Sequence, residues 1–250
     1  MLINSYIHLY GIGAVTERRL WQEGLMDWFV FLEKAERGDL PEWVKSSFID
    51  EIESSLKRLQ DHDFKYFKDR MSHRELWRTF PEFRETTVYL DIETTGLDQF
   101  NDDITVVGMF DGNEVYTYIK DKNLDRLPLA LEKYSTIVSF NGLMFDMPFI
   151  STKFPQVKFN QIQLDLRFIL TRLGYRGGLK KIEKRMGITR TDDTEGLSGF
   201  DAVRLWRRYE QGDCSALELL IKYNTEDIVN LEKLMTFAYD RMKDRLFSGI

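Results

Sequence analysis

Apolar residues between positions 1 and about 85 recur at spacings of three and four: Ile7, Leu20, Trp21, Leu25, Trp28, Phe29 and Leu32, then Ile49, Ile52, Leu56 and Leu59. That period is helical. It predicts a small all-α N-terminal region over 1–85, broken at Gly38-Asp39 and Pro41 and closed by Pro81 and the polar residues up to Thr87. The period then changes. Val88–Leu90, Ile104–Phe110 and Val115–Ile119 read as strands, the last two joined by the hairpin signal Asp111-Gly112-Asn113. Ile137–Phe140 fits a buried fourth strand and Ile162–Leu166 a fifth, with a helix around Pro148–Lys153 between them. From Leu166 onward the spacing is helical again. Gly178–Met186, Ser198–Gln211 and Cys214–Arg245 read as helices, the last span divided in two, with Ser215 and Glu218 in capping-box spacing. A hairpin before a parallel return, followed by helices, makes 86–250 an α/β domain: a mixed β-sheet flanked by helices.

Composition narrows the class. With 43% hydrophobic and 30% charged residues and only 5 Pro, the chain is neither disordered nor fibrous. A single cysteine, Cys214, excludes an intramolecular disulfide or a cysteine-rich zinc site and fits a reducing compartment. The longest apolar run, Trp28–Leu32, is far short of the ~20 residues of a membrane helix, and no basic-then-apolar leader opens the chain. The expectation is a soluble cytoplasmic protein with no membrane partner. A net charge of −6 argues against coating duplex nucleic acid by bulk charge. It leaves room for a local basic groove, and for carboxylates whose bound cations reverse the local sign.

Candidate chemistry starts where the first strand runs out, at Asp91-Ile92-Glu93-Thr94-Thr95-Gly96-Leu97. Two carboxylates at i and i+2 on a strand share a face, so Asp91 and Glu93 can share a cation. Asp146 follows the fourth strand in the apolar stretch Phe140–Phe145, where a buried acid needs a partner. Tyr223 and Asp227 stand at i and i+4 on one face of an amphipathic helix. Taken singly, each has an ordinary structural reading: a strand end, a helix cap, a Tyr–Asp contact. Taken together they are four hard oxygen donors without nearby His or Cys, which suits Mg²⁺ or Mn²⁺ rather than zinc. All three histidines precede residue 86, so histidine-assisted nucleophilic chemistry is absent from 86–250. Neither a G-x-x-x-x-G-K-[ST] nor a G-x-G-x-x-G loop occurs.

These segments resemble the three exonuclease motifs of the DEDD superfamily, built on a ribonuclease-H-like fold. Asp91/Glu93 resemble the first motif, Asn141–Asp146 the second and Tyr223/Asp227 the third. Tyr four residues before the last Asp matches the tyrosine-type (DEDDy) branch. Gly178–Glu183 and Met186-Gly187-Ile188 resemble the YprB-like group within it. The resemblance spans roughly 86–240. It implies a 3′→5′ exonuclease releasing nucleoside 5′-monophosphates from single-stranded nucleic acid; DNA is favoured over RNA as the substrate, though no residue announces the sugar. Two divalent ions would be held by Asp91, Glu93, Asp146 and Asp227, with Tyr223 orienting the attacking water. It further implies that Thr94, Leu97 and Asn141 touch the terminal nucleotide.

Between the second and third motifs, Arg167, Arg172, Arg176, Lys180, Lys181, Lys184, Arg185 and Arg190 face one acid, Glu183. A solvated helix face is the plain reading. A phosphate-tracking groove formed by Arg176, Lys180, Lys181, Lys184 and Arg185, with Phe168 and Tyr175 as stacking surfaces, is the functional one. Near the N-terminus, Leu9-Tyr10-Gly11-Ile12-Gly13 followed by Thr16, Leu20 and Gly24 resembles a helix-hairpin-helix over 7–32. Its turn would offer backbone N–H groups to a phosphate. Tyr10 and Glu17 depart from that pattern, Glu17 by placing an acid near the phosphate, so a structural αα-hairpin stands beside it. Two other functions remain open: a nucleic-acid-binding module with weak or no catalysis, and a structure-selective endonuclease on the same fold.

Overall fold

The computed structural model describes residues 1–248. The chain forms two compact units, one of Met1–Arg84 together with the chain from Tyr239 onward, the other Glu85–Ala238.

In the first unit the helical spacing yields α1 (Ala14–Gln22), α2 (Trp28–Arg37), α3 (Ser47–Gln60) and α4 (Phe64–Arg70). Asp27 and Asp63 start α2 and α4 by accepting from Val30 N and Tyr66 N, and Gly38, in the left-handed region at φ 75°, stops α2. Trp21, Trp28, Phe31, Phe67 and Trp77 are buried, so the aromatic residues of this unit mostly serve its core. Glu17 is 1% exposed and accepts from Ser5 Oγ, Tyr6 N and Arg78 Nη1. It is therefore a buried ion-pair partner, not an acid on the hairpin surface.

The second unit carries β1 (Thr87–Thr94), β2 (Ile104–Phe110), β3 (Val115–Ile119), β4 (Thr136–Ser139) and β5 (Ile162–Asp165), in the order β3-β2-β1-β4-β5. β1 pairs antiparallel with β2 and parallel with β4, and β4 parallel with β5, which is the mixed sheet expected. Between and after the strands come α5 (Leu127–Leu131), α6 (Asp146–Lys153), α7 (Leu166–Arg172), α8 (Leu179–Arg185), α9 (Gly199–Glu210) and α10 (Cys214–Phe247). Period-two alternation assigns the two sheet faces. Val88, Leu90, Ile92, Val107 and Met109 pack with Leu127, Leu131, Met147 and Ile150 of α5 and α6. On the other face Val106 packs with Ala202, Leu205 and Trp206 of α9 and with Leu220 and Tyr223 of α10.

Two local expectations are corrected. The span from Cys214 is one helix of 34 residues, not two, because no Gly or Pro interrupts it. Its start is stabilised by Asp213, which accepts from Ala216 N and Ser215 Oγ, rather than by a Ser215/Glu218 box. The capping box belongs to α9, where Asp201 Oδ2 accepts from Ser198 N at 2.9 Å. Among the described residues no helix is long and apolar enough to cross a membrane.

Candidate metal centre

Asp91 and Glu93 alternate with the core residues Leu90 and Ile92 and so emerge on the face that α10 covers. Asp227 lies one turn beyond Tyr223 on α10. Asp91, Glu93 and Asp227 each offer a carboxylate oxygen, and these atoms lie within 4.8 Å of one another. Asp146 opens α6 and is 3% exposed; its Oδ1 accepts from Ile92 N at 3.2 Å, tying the second segment to β1. All four acids and Tyr223 line one cavity of about 920 Å³, together with Thr94, Leu97 and Asn141.

The electrostatics suit a cation. Burial, then repulsion from Asp227, Asp146 and Glu93, raises the Asp91 carboxyl well above its ordinary range, and burial with Asp227 does the same to Glu93. Burial pushes Asp146 up to about 7 and Asp227 up to about 6, the latter despite Arg190. Carboxylates that raise one another's pKa in this way are stabilised by a bound divalent ion, and an all-oxygen set fits Mg²⁺ or Mn²⁺. The Tyr223 phenol is raised by burial and by Asp227, Glu93 and Asp91. It stays protonated at neutral pH.

Several supporting contacts escape a reading of the sequence. Asn224, 1% exposed, donates from Nδ2 to Asp91 Oδ2 at 2.9 Å and to Asp91 O at 3.3 Å. It reaches them because Gly108, opposite Asp91 in the β1–β2 register, has no side chain: a Cβ there would overlap Asn224 Oδ1 and lie 2.9 Å from its Cγ. Arg190 pairs with Asp227 and, through Nε and Nη2 at 2.8 Å each, with buried Glu183, which also accepts from Asn230 Nδ2. Asp165, at the end of β5, accepts from Asn141 N, Leu143 N and Arg167 N and so shapes the loop leading to Asp146. Asn141 takes a left-handed φ of 66° there, and its Oδ1 accepts from Arg167.

The basic stretch divides. Lys180 Nζ sits 4.0 Å from the Tyr223 ring centroid and donates to Leu197 O, while Arg190 is at the acids. Lys181, Lys184, Arg185 and Arg176 are exposed on or beside α8 and do not line the cavity. Arg185 lies over the Tyr175 ring, which in turn meets Phe237 edge-on. In the first unit, Tyr10 N of the hairpin is already taken by Glu51 Oε2 at 2.9 Å.

A family model described as the RNase_H superfamily matches residues 88–239, a span that contains all four acids and Tyr223. Among curated proteins none matches. Solved structures similar to the chain include the family B DNA polymerase of the hyperthermophilic archaeon Pyrobaculum calidifontis, at 13% identity and a TM-score of 0.48 over 62% of this chain and 24% of that one. Brucella melitensis NrnC is 20% identical over 66% of this chain and 78% of its own, at a TM-score of 0.47. Escherichia coli RNase D, an exoribonuclease involved in structured RNA processing, is 15% identical over 68% and 47%, at 0.40.

Proposed function

The chain belongs to the RNase_H superfamily, and from that premise we propose that it is a divalent-metal-dependent 3′→5′ exonuclease of single-stranded nucleic acid, of the tyrosine-type, YprB-like kind. One observation carries the reading: carboxylates from β1, α6 and α10 line a single cavity with Tyr223, inside the matched span. Asp91, Glu93 and Asp227 would hold one ion, and Asp146 with Asp91 a second. Bound there, divalent ions supply Lewis-acid activation of the attacking water and charge stabilisation at the leaving oxygen.

The chain's own residues do the rest. Asn224 fixes Asp91 in one orientation, and the Ile92 amide fixes Asp146, so that neither carboxylate must reorganise when substrate binds. Tyr223 remains a phenol, so it donates a hydrogen bond that orients water rather than removing a proton from it. Thr94, Leu97 and Asn141 line the same cavity and are assigned to the terminal nucleotide. The polarity follows from the motif resemblance. An accessory binding module is the less favoured reading, because unneeded carboxylates in a cavity repel phosphate.

The test is digestion of 5′-labelled single-stranded DNA and RNA beside a single-stranded circle, with Mg²⁺, Mn²⁺ or EDTA, for wild type and Asp91→Ala. The expected result is a metal-dependent ladder shortening from the 3′ end, absent in the variant and sparing the circle; the preferred sugar is read directly, DNA being expected. Cutting of the circle would make it an endonuclease, and binding without cleavage an accessory module.

A further inference from the structure

Helix α9 presents two different faces. Ala202, Leu205, Trp206 and Tyr209 fall within one arc and pack into the core with Val106 and Leu220. Phe200, Val203, Arg204 and Arg207, at i, i+3, i+4 and i+7, form the opposite arc and line the 920 Å³ cavity that holds the four acids. Among the described residues Arg204 and Arg207 are the only basic side chains that line it. Arg204 is tethered to Asp201 at 3.2 Å, and Arg208, on another face, turns to Asp213 at 2.6 Å. Arg207 is exposed, and no ion pair engages it among the described residues.

A cavity with acids at one part and a free guanidinium at another is unbalanced for a small ester but suited to a chain of phosphates. Ions on the carboxylates would take the scissile phosphate, and the remaining negative charge of the strand needs a cation elsewhere along the same cavity. We propose that α9 tracks the strand: Arg207, assisted by Arg204, binds an internucleotide phosphate beyond the one being cleaved. The exposed lysines of α8 lie outside this path. The substrate class is thus an oligonucleotide of at least three residues, favoured over a dinucleotide, whose only internucleotide phosphate is the scissile one. This inference rests on the nuclease reading.

The test compares wild type, Arg207→Gln and the control Arg208→Gln on an eight-residue single strand and on a dinucleotide, each at several salt concentrations. Equilibrium binding of the fluorescein-labelled eight-residue strand in EDTA is measured separately from turnover. Wild type is expected to prefer the longer strand in kcat/KM, and Arg207→Gln to lower that preference about tenfold. The log–log salt slope of binding should fall by about one for Arg207→Gln and stay constant for Arg208→Gln. An unchanged slope, or equal losses on both substrates, overturns the proposal. Loss of turnover in wild type overturns the nuclease reading instead, and the binding slope still decides the role of Arg207.

Discussion

Replacing Gly108 by Ala places a methyl group where the structure has no room. Its carbon would overlap Asn224 Oδ1, lie 2.9 Å from Asn224 Cγ and 3.1 Å from Ile228 Cδ1, against an ordinary contact of at least 3.4 Å. The shortfall at Cγ, 3.4 − 2.9, is 0.5 Å, and Asn224 is 1% exposed, so the amide must tilt away from Asp91 rather than swing to solvent. Overpacking costs about 1–3 kcal/mol, and the weakened hydrogen bond to Asp91 a further ~1 kcal/mol. The expected loss of stability is therefore about 2–4 kcal/mol by urea denaturation in EDTA. Because Asn224 orients a carboxylate of the proposed metal centre, Mn²⁺ affinity by titration calorimetry should fall about tenfold. In an Asn224→Ala background only the contact with Ile228 Cδ1 remains, and the same Gly108→Ala change should cost less than about 1 kcal/mol, a coupling visible in the double-mutant cycle. Equal costs in both backgrounds with unaltered Mn²⁺ affinity would refute the role given to this amide.

Four other outcomes follow from the same centre. Asp146 and Asp227 hold protons more tightly when folded, up to about 7 and about 6 from 3.8, so metal-free protein loses stability as pH rises from about 4 to about 7; thermal melts in EDTA should show that fall, and Asp146→Asn should flatten it. Excess Mn²⁺ should stabilise more at pH 7.5 than at pH 5, because the ion competes with protons for the same oxygens. Arg190→Gln strands the buried Glu183 carboxylate and should cost about 3–5 kcal/mol by urea denaturation, with much of the loss recovered in the Arg190→Gln/Glu183→Gln double variant. Tyr223→Phe should slow turnover less than Asp91→Asn does, since it removes an orienting hydrogen bond and leaves the acids in place.

The parts of this architecture set by local rules were legible in the sequence. Asp91 and Glu93 declare a shared face through the two-residue period of β1, and Tyr223 and Asp227 through the turn of α10. The strands and their hairpin followed from alternation and from Asp111-Gly112-Asn113. What escaped depends on partners distant in sequence. Asn224 matters because Gly108 stands opposite Asp91 in the register, a fact of strand pairing rather than of composition. Arg190 looked like one more charge in a basic run, yet it crosses to Glu183 and Asp227, while its exposed neighbours on α8 stay in solvent. The span from Cys214 read as two helices; the single helix instead runs through the polar residues Asn224–Asp227, with Asn224 turned to Asp91 and Glu226 to the loop around Thr191 and Thr194. Glu17 was similarly misplaced, because its partner Arg78 lies 61 residues away.

On the proposed function, the carboxylates around Asp91 form a metal centre that cleaves nucleic acid. Mn²⁺ binding by calorimetry and cleavage of a single-stranded oligonucleotide, measured across the same Mn²⁺ series for wild type and Asp227→Asn, test it most directly. Binding and cleavage are expected to rise together in wild type, and Asp227→Asn is expected to lose both while remaining folded. Cleavage that persists in EDTA, or survives intact in Asp227→Asn, would contradict that function.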